Sequence, residues 1–170
     1  MQRILIIGNA GSGKTTFAKK LAVKTGLPLT HLDQIYWRDN WEHLSQEEFD
    51  PILQDKLQAP QWIIDGNFHR TLPRRLACCD TVFFFDLPTC ACLWGITKRL
   101  ITNYGRSRDD MGGNCPEHFD RNKKGLYQKV TSFNRTHRKD YYNLLADATH
   151  AKTIVFRSHK DAEDYLNNLR

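Results

Sequence analysis

The stretch Gly8-Asn9-Ala10-Gly11-Ser12-Gly13-Lys14-Thr15 constrains this chain more than any other. It follows the apolar run 4–7 and opens a segment with helical periodicity. That strand–loop–helix context is what a phosphate-binding loop requires and what an incidental glycine-rich turn lacks. Glycines let backbone N–H groups converge on an anion with no Cβ in the way. The helix N-terminus adds partial positive charge. Lys14 supplies a point charge for the terminal phosphates, and the Thr15 hydroxyl a ligand for Mg²⁺. Residues 8–16, ending at Thr16, are the expected cradle for ATP.

Five apolar runs, 4–7, 29–32, 62–64, 82–85 and 154–156, read as strands. Their near-continuous hydrophobicity suits strands covered on both faces. Between them fall helical patterns: 15–25, ending at Gly26; 89–104, with Leu93, Trp94, Ile96, Leu100 and Ile101 on its apolar stripe; and one from Ser158, whose Ser-x-x-Asp marks an N-terminus. Ser45 and Glu48 make a capping box, but Pro51 predicts a kink, or a later start at Asp50. This alternation predicts an α/β fold, a three-layer α/β/α build around a five-stranded parallel sheet. The whole chain, 1–170, reads as one domain, with a helical acceptor-binding insert at 33–60 and a short basic lid at 104–122. The second of these has two adjacent glycines and few apolar residues, and reads as a mobile excursion.

Charge sharpens that division. Eleven Lys/Arg face four Asp/Glu between residues 98 and 139, a local balance of +7 in a chain of net +6. Such a segment clamps nucleotide phosphates or meets a nucleic-acid backbone. No run approaches the ~18 apolar residues of a membrane span, so a cytoplasmic protein with no membrane partner is expected. The five cysteines show no zinc-knuckle spacing and read as reduced, structural thiols.

A Mg-triphosphate needs a carboxylate at a strand end. Asp65 and Asp86 both qualify by position; Asp86, before Leu-Pro, could equally cap a turn, while Gly66 beside Asp65 permits close approach of a ligand. Asp33 ends another strand run, and with His31, Tyr36, Trp37 and Trp41 it outlines an acceptor pocket. There Asp33 would take a hydroxyl proton or hydrogen-bond the hydroxyl, unless it caps a turn while the aromatics fill a small core. Arg135 and Arg138, three apart, are expected on one helix face as a clamp.

"IDGNFHRTLP" at 64–73 and "FFFDLP" at 83–88 resemble segments of adenylate kinases. "HLDQIYW", "WIIDGN" and "GNCPEHFD" bring the whole chain close to the bacterial DNA topology modulation proteins, built as small adenylate-kinase-like P-loop proteins. The resemblance implies a P-loop NTPase fold and phosphoryl transfer from Mg-ATP. It implies that Asp65 orients Mg²⁺ through water and that Arg70 holds an acceptor phosphate. Arg99 would bind phosphate, and Arg135 and Arg138 would close over the transferring group, with Lys14 completing the catalytic set. Where adenylate kinases stack an arginine on the base, this chain has Gly95, so the base needs another platform, such as Trp94 or a loop. The AMP site of those kinases is replaced by the Asp33–Trp37 region.

Two readings follow. One is a kinase acting on a small-molecule acceptor, a nucleotide among the candidates. The other, less favoured, is a P-loop NTPase acting at DNA without an acceptor. The sequence leaves the acceptor, the ATP-over-GTP preference and the oligomeric state open.

Overall fold

The computed structural model describes residues 1–169, apart from the side chains of Arg121 and Asn122. Five strands form one sheet: β1 (Arg3–Gly8), β2 (Leu29–His31), β3 (Trp62–Asp65), β4 (Thr81–Phe85) and β5 (Lys152–Phe156). Their spatial order is β2-β3-β1-β4-β5, and every pairing is parallel. The expected parallel sheet is therefore present. β2 is a residue shorter than its apolar run, because Leu32 already opens a helix.

The pleat explains the two cores. Ile4 and Ile6 face one side, with Phe83, Phe85 and Phe156, and pack on α1 (Lys14–Thr25), α5 (Thr89–Thr102) and α8 (His159–Asn168). Leu5 and Ile7 face the other side, with Ile64, Val82 and Phe84, and meet α3 (Gln46–Gln58), α4 (Leu72–Cys78) and α7 (Arg138–Asp147). Both faces are dry, which is why the strand sequences do not alternate in polarity. The remaining helices are α2 (Leu32–Tyr36) and α6 (Arg121–Thr136).

Three expectations are corrected. Helix α3 begins at Gln46, with the Ser45–Glu48 capping box formed, and runs on through Pro51. The double cap and the buried side chains of Phe49, Leu53 and Leu57 outweigh the donor lost at Pro51. Trp94 is 66% exposed rather than part of the buried stripe. The helix meets the core through Cys92, Ile96 and Leu100, and Trp94 faces away from them.

Third, the segment between α5 and α6 is not a free arm. The Asn40 N–H donates to the Asn114 carbonyl at 3.0 Å, and the Asn114 N–H to Asp39 Oδ1 at 2.6 Å. Trp41 Nε1 donates to the Pro116 carbonyl, and Cys115 Sγ to that of Arg38, both at 3.0 Å. A Cβ on Gly112 would lie 2.1 Å from the Gln34 carbonyl. Backbone and cap bonds of this kind leave no trace in composition.

Candidate active site

The carboxyl ends of β1, β2 and β3 open into a cleft of about 1720 Å³. That is where open parallel sheets place ligands. Its floor is the loop from Gly8 to Lys14. Helix α5 packs directly on that loop: Gly11 has φ +77°, and a Cβ on Gly95 would lie 2.0 Å from the Gly11 carbonyl. Gly95 is thus a contact with the loop, and an arginine there would push the loop away. Lys14 lies in the cleft with its Nζ donating to the Asn9 carbonyl at 2.8 Å. Burial lowers its pKa, and Asp65 partly offsets this.

Thr15 Oγ1 donates to Asp65 Oδ2 at 2.8 Å, and His31 Nδ1 lies 3.0 Å from the same oxygen. Asp65 Oδ1 is buried without a partner among the described residues. A hydroxyl beside a carboxylate with a spare oxygen is a hard-oxygen donor set that fits Mg²⁺. Asp86 stands apart from Thr15. Its two oxygens accept from Arg138 Nε and Nη2, each at 2.7 Å, and Tyr142 adds a third bond.

On the lid side, the fully buried carboxylate of Glu117 gathers three cations that line the cleft. Arg108 Nε is 3.1 Å from Oε1 and Arg99 Nε 3.4 Å, while Lys123 Nζ bonds Oε2. The two arginine contacts attract by charge without hydrogen-bond alignment, which leaves both Nε atoms and Oε1 unsatisfied among the described residues. Burial raises the Glu117 pKa, but the three cations outweigh it and the net direction is down. Arg99 moves down as well, chiefly through burial and then through its neighbour Arg108.

Asp33 lines the same cleft, as do Tyr36, Trp37 and Trp41. Burial drives its carboxyl pKa up, with Arg108 opposing and Asp65 adding to the rise. The Trp37 ring sits edge-on to Tyr36 at 5.1 Å and to Trp41 at 5.4 Å.

The sequence-derived residues are thus partly assembled. Asn9, Ala10, Gly11, Gly13, Lys14, Thr15, Thr16, Asp33, Trp37, Asp65, Arg70 and Arg99 line one cleft. Gly8 and Ser12 support it from beneath, Ser12 being fully buried. Arg70 reaches the rim, but its guanidinium is forked onto Asp50, with Nη1 to Oδ2 at 2.9 Å. The expected clamp of Arg135 and Arg138 is not assembled here. Helix α6 ends at Thr136 and α7 begins at Arg138, with His137 non-helical between them at φ −125°. The two arginines therefore do not share a helix face. Arg138 is bound to Asp86, and Arg135 is exposed outside the cleft.

Four residues escaped the sequence reading. Arg108, Glu117 and Lys123 were lost in a charged stretch, where pairing cannot be told from solvation. Arg75 is fully buried and donates to the carbonyls of Gly66, Asn67 and Phe68 and to Thr71 Oγ1, so it fixes the loop leaving Asp65. Burial lowers its pKa to about 10. Nothing in "LPRRLACC" separates Arg75 from Arg74 beside it.

No known family profile and no curated protein sequence matches the chain. Among solved structures it is similar to a sugar kinase from a Janibacter species, with TM-score 0.54, 17% identity, and coverage of 98% of this chain and 91% of that one. It is also similar to shikimate kinase from Bacteroides thetaiotaomicron, with TM-score 0.53, 14% identity, and coverage of 98% and 94%. At these identities the likeness concerns the fold: the chain has the three-layer α/β/α, P-loop kinase-like architecture.

Proposed function

We propose that the protein is a P-loop phosphotransferase that moves the γ-phosphoryl group of ATP to a hydroxyl on a small acceptor. The observation that carries this reading is that Asp33 lines the same cleft as Lys14, Arg99, Arg108 and Lys123, a cleft that also holds the Thr15–Asp65 pair. A switch that only hydrolyses nucleotide has no need of aromatic side chains and a desolvated carboxylate in the same cleft as the phosphate loop. The kinase-fold neighbours and the resemblance to adenylate-kinase-like topology modulation proteins support the same class.

In this reading the loop and Lys14 would hold the β- and γ-phosphates, and Thr15, with Asp65 acting through water, would hold Mg²⁺. That ion would neutralise charge between the β- and γ-phosphates. The acceptor oxygen attacks the γ-phosphorus in line, its proton passes to an Asp33 oxygen, and the bond to the β,γ-bridging oxygen breaks to release ADP. Arg99 would neutralise the transferring group, with Arg108 and Lys123, held by Asp110 and Glu117, adding positive field, and Trp94, exposed at the rim, would be a stacking platform for the base. Arg70 is committed to Asp50, so a hydroxylated acceptor fits the pocket better than one that must be held by its own phosphate.

The test is an acceptor screen read as ADP release, over nucleoside monophosphates, nucleosides and small hydroxylated metabolites. One acceptor is expected to accelerate release far above background, with loss in Lys14→Ala and Asp33→Asn. A panel without acceleration overturns the reading. A duplex-DNA affinity that falls steeply with salt and needs no acceptor would favour the alternative at DNA.

A further inference from the structure

We infer that His69, His137 and Asp140 form a second cation site, for a borderline divalent metal such as Zn²⁺ or Co²⁺, on the rim of the cleft. One ligand atom from each lies within 4.8 Å of the others, and all three side chains are exposed. They come from two separate segments. Phe68 has φ +30°, a left-handed conformation that non-glycine residues rarely adopt, and it presents His69 at the start of a 3₁₀ turn. His137 sits at the break between α6 and α7, and Asp140 follows in the first turn of α7. The break that parts Arg135 from Arg138 thus brings His137 beside His69, their rings 5.4 Å apart.

The rings of three histidines, His31, His43 and His150, each bond a carboxylate or a carbonyl. Those of His69 and His137 have none among the described residues, which leaves their nitrogens available. The neighbouring arginines do not oppose a cation with free charge, since Arg70 is paired with Asp50 and Arg138 with Asp86. Two imidazoles and a carboxylate select Zn²⁺-like ions over Mg²⁺, which takes oxygen ligands. Small rotations at exposed side chains would draw these ligand atoms, which lie within 4.8 Å of one another, to the roughly 3.3 Å separations of a tetrahedral site. A bound ion would join the loop leaving Asp65 to the α6–α7 junction, with its remaining positions open to water.

This site stands independently of the kinase reading. The experiment is an optical titration of the full chain with Co²⁺ under saturating Mg²⁺ and no nucleotide, so that the oxygen site is already filled. One Co²⁺ per chain is expected, with a thermal stabilisation that grows with concentration. His69→Ala and His137→Ala should each weaken binding roughly tenfold or more, and Asp140→Asn by a smaller factor. His159→Ala should leave it unchanged, and circular dichroism confirms that the variants fold. No Co²⁺ binding, wild-type binding in both histidine variants, or a thiolate-to-cobalt band placing the ion on a cysteine would each overturn the site.

Discussion

At Asp33 the same burial shapes both stability and chemistry. Its carboxyl pKa lies above the ordinary value of about 3.9 because desolvation penalises the charge. A group with a raised folded pKa contributes stability below its unfolded pKa and loses it as pH rises through the folded one. Asp33→Asn is therefore expected to be at least as stable as the parent at neutral pH, by urea unfolding. Its kcat should nevertheless fall by about 10²–10⁴. The acid limb of kcat in the parent should lie above the usual carboxylate range and vanish in Asp33→Asn. A profile flat to low pH would remove Asp33 as the base. Trp94 makes a separate prediction: Trp94→Ala should raise KM for ATP on the order of tenfold, as expected for lost base stacking, and leave kcat nearly unchanged. Steady-state kinetics with varied ATP separates the two.

At the scale of elements, two contacts decide whether the site is held in shape. Arg75 on α4 fixes the loop after β3 through three carbonyls and one hydroxyl. Arg75→Ala leaves those acceptors buried and a cavity behind, so a loss of about 3–5 kcal/mol in chemical denaturation is expected. Glu117 holds α5, the lid segment and α6 together through Arg99, Arg108 and Lys123. Glu117→Gln keeps the shape but removes the charge, and should lower kcat more than it raises KM for ATP, because the clamp matters most in the transition state. Equal changes in both would make the cluster merely structural. Before the fold is known, "GNCPEHFD" shows one glutamate among polar residues, and nothing local separates a buried carboxylate from a solvated one.

The whole molecule joins a rigid sheet to an upper half in which the lid segment and the region around Trp41 are bonded to each other. Asn40 and Trp41 hold φ of 58° and 62°, strain that the bond from Trp41 to Pro116 helps to retain. Nucleotide binding should therefore tighten the molecule as a unit. Mg-ATP at a hundred times its Kd should add about 2.7 kcal/mol, roughly 5–10 °C in Tm for a chain of this size. Lys14→Ala should abolish most of that shift in a thermal scan. Among the described residues no helix is long and apolar enough to cross a membrane.

What the sequence determined by itself was local and periodic. The Gly8–Thr15 loop, the apolar strand runs and the helix N-terminus at Ser158 are written in consecutive residues, because backbone conformation and anion binding depend on near neighbours. From them the parallel α/β fold and the phosphate floor were legible. Tertiary structure alone decided which charges meet. Asp65 rather than Asp86 receives Thr15, Arg138 is bound to Asp86, Arg70 to Asp50, and Arg108 and Lys123 join Arg99 around Glu117. Coulomb attraction acts between side chains far apart in sequence, and its strength depends on burial, which a residue's immediate neighbours do not disclose.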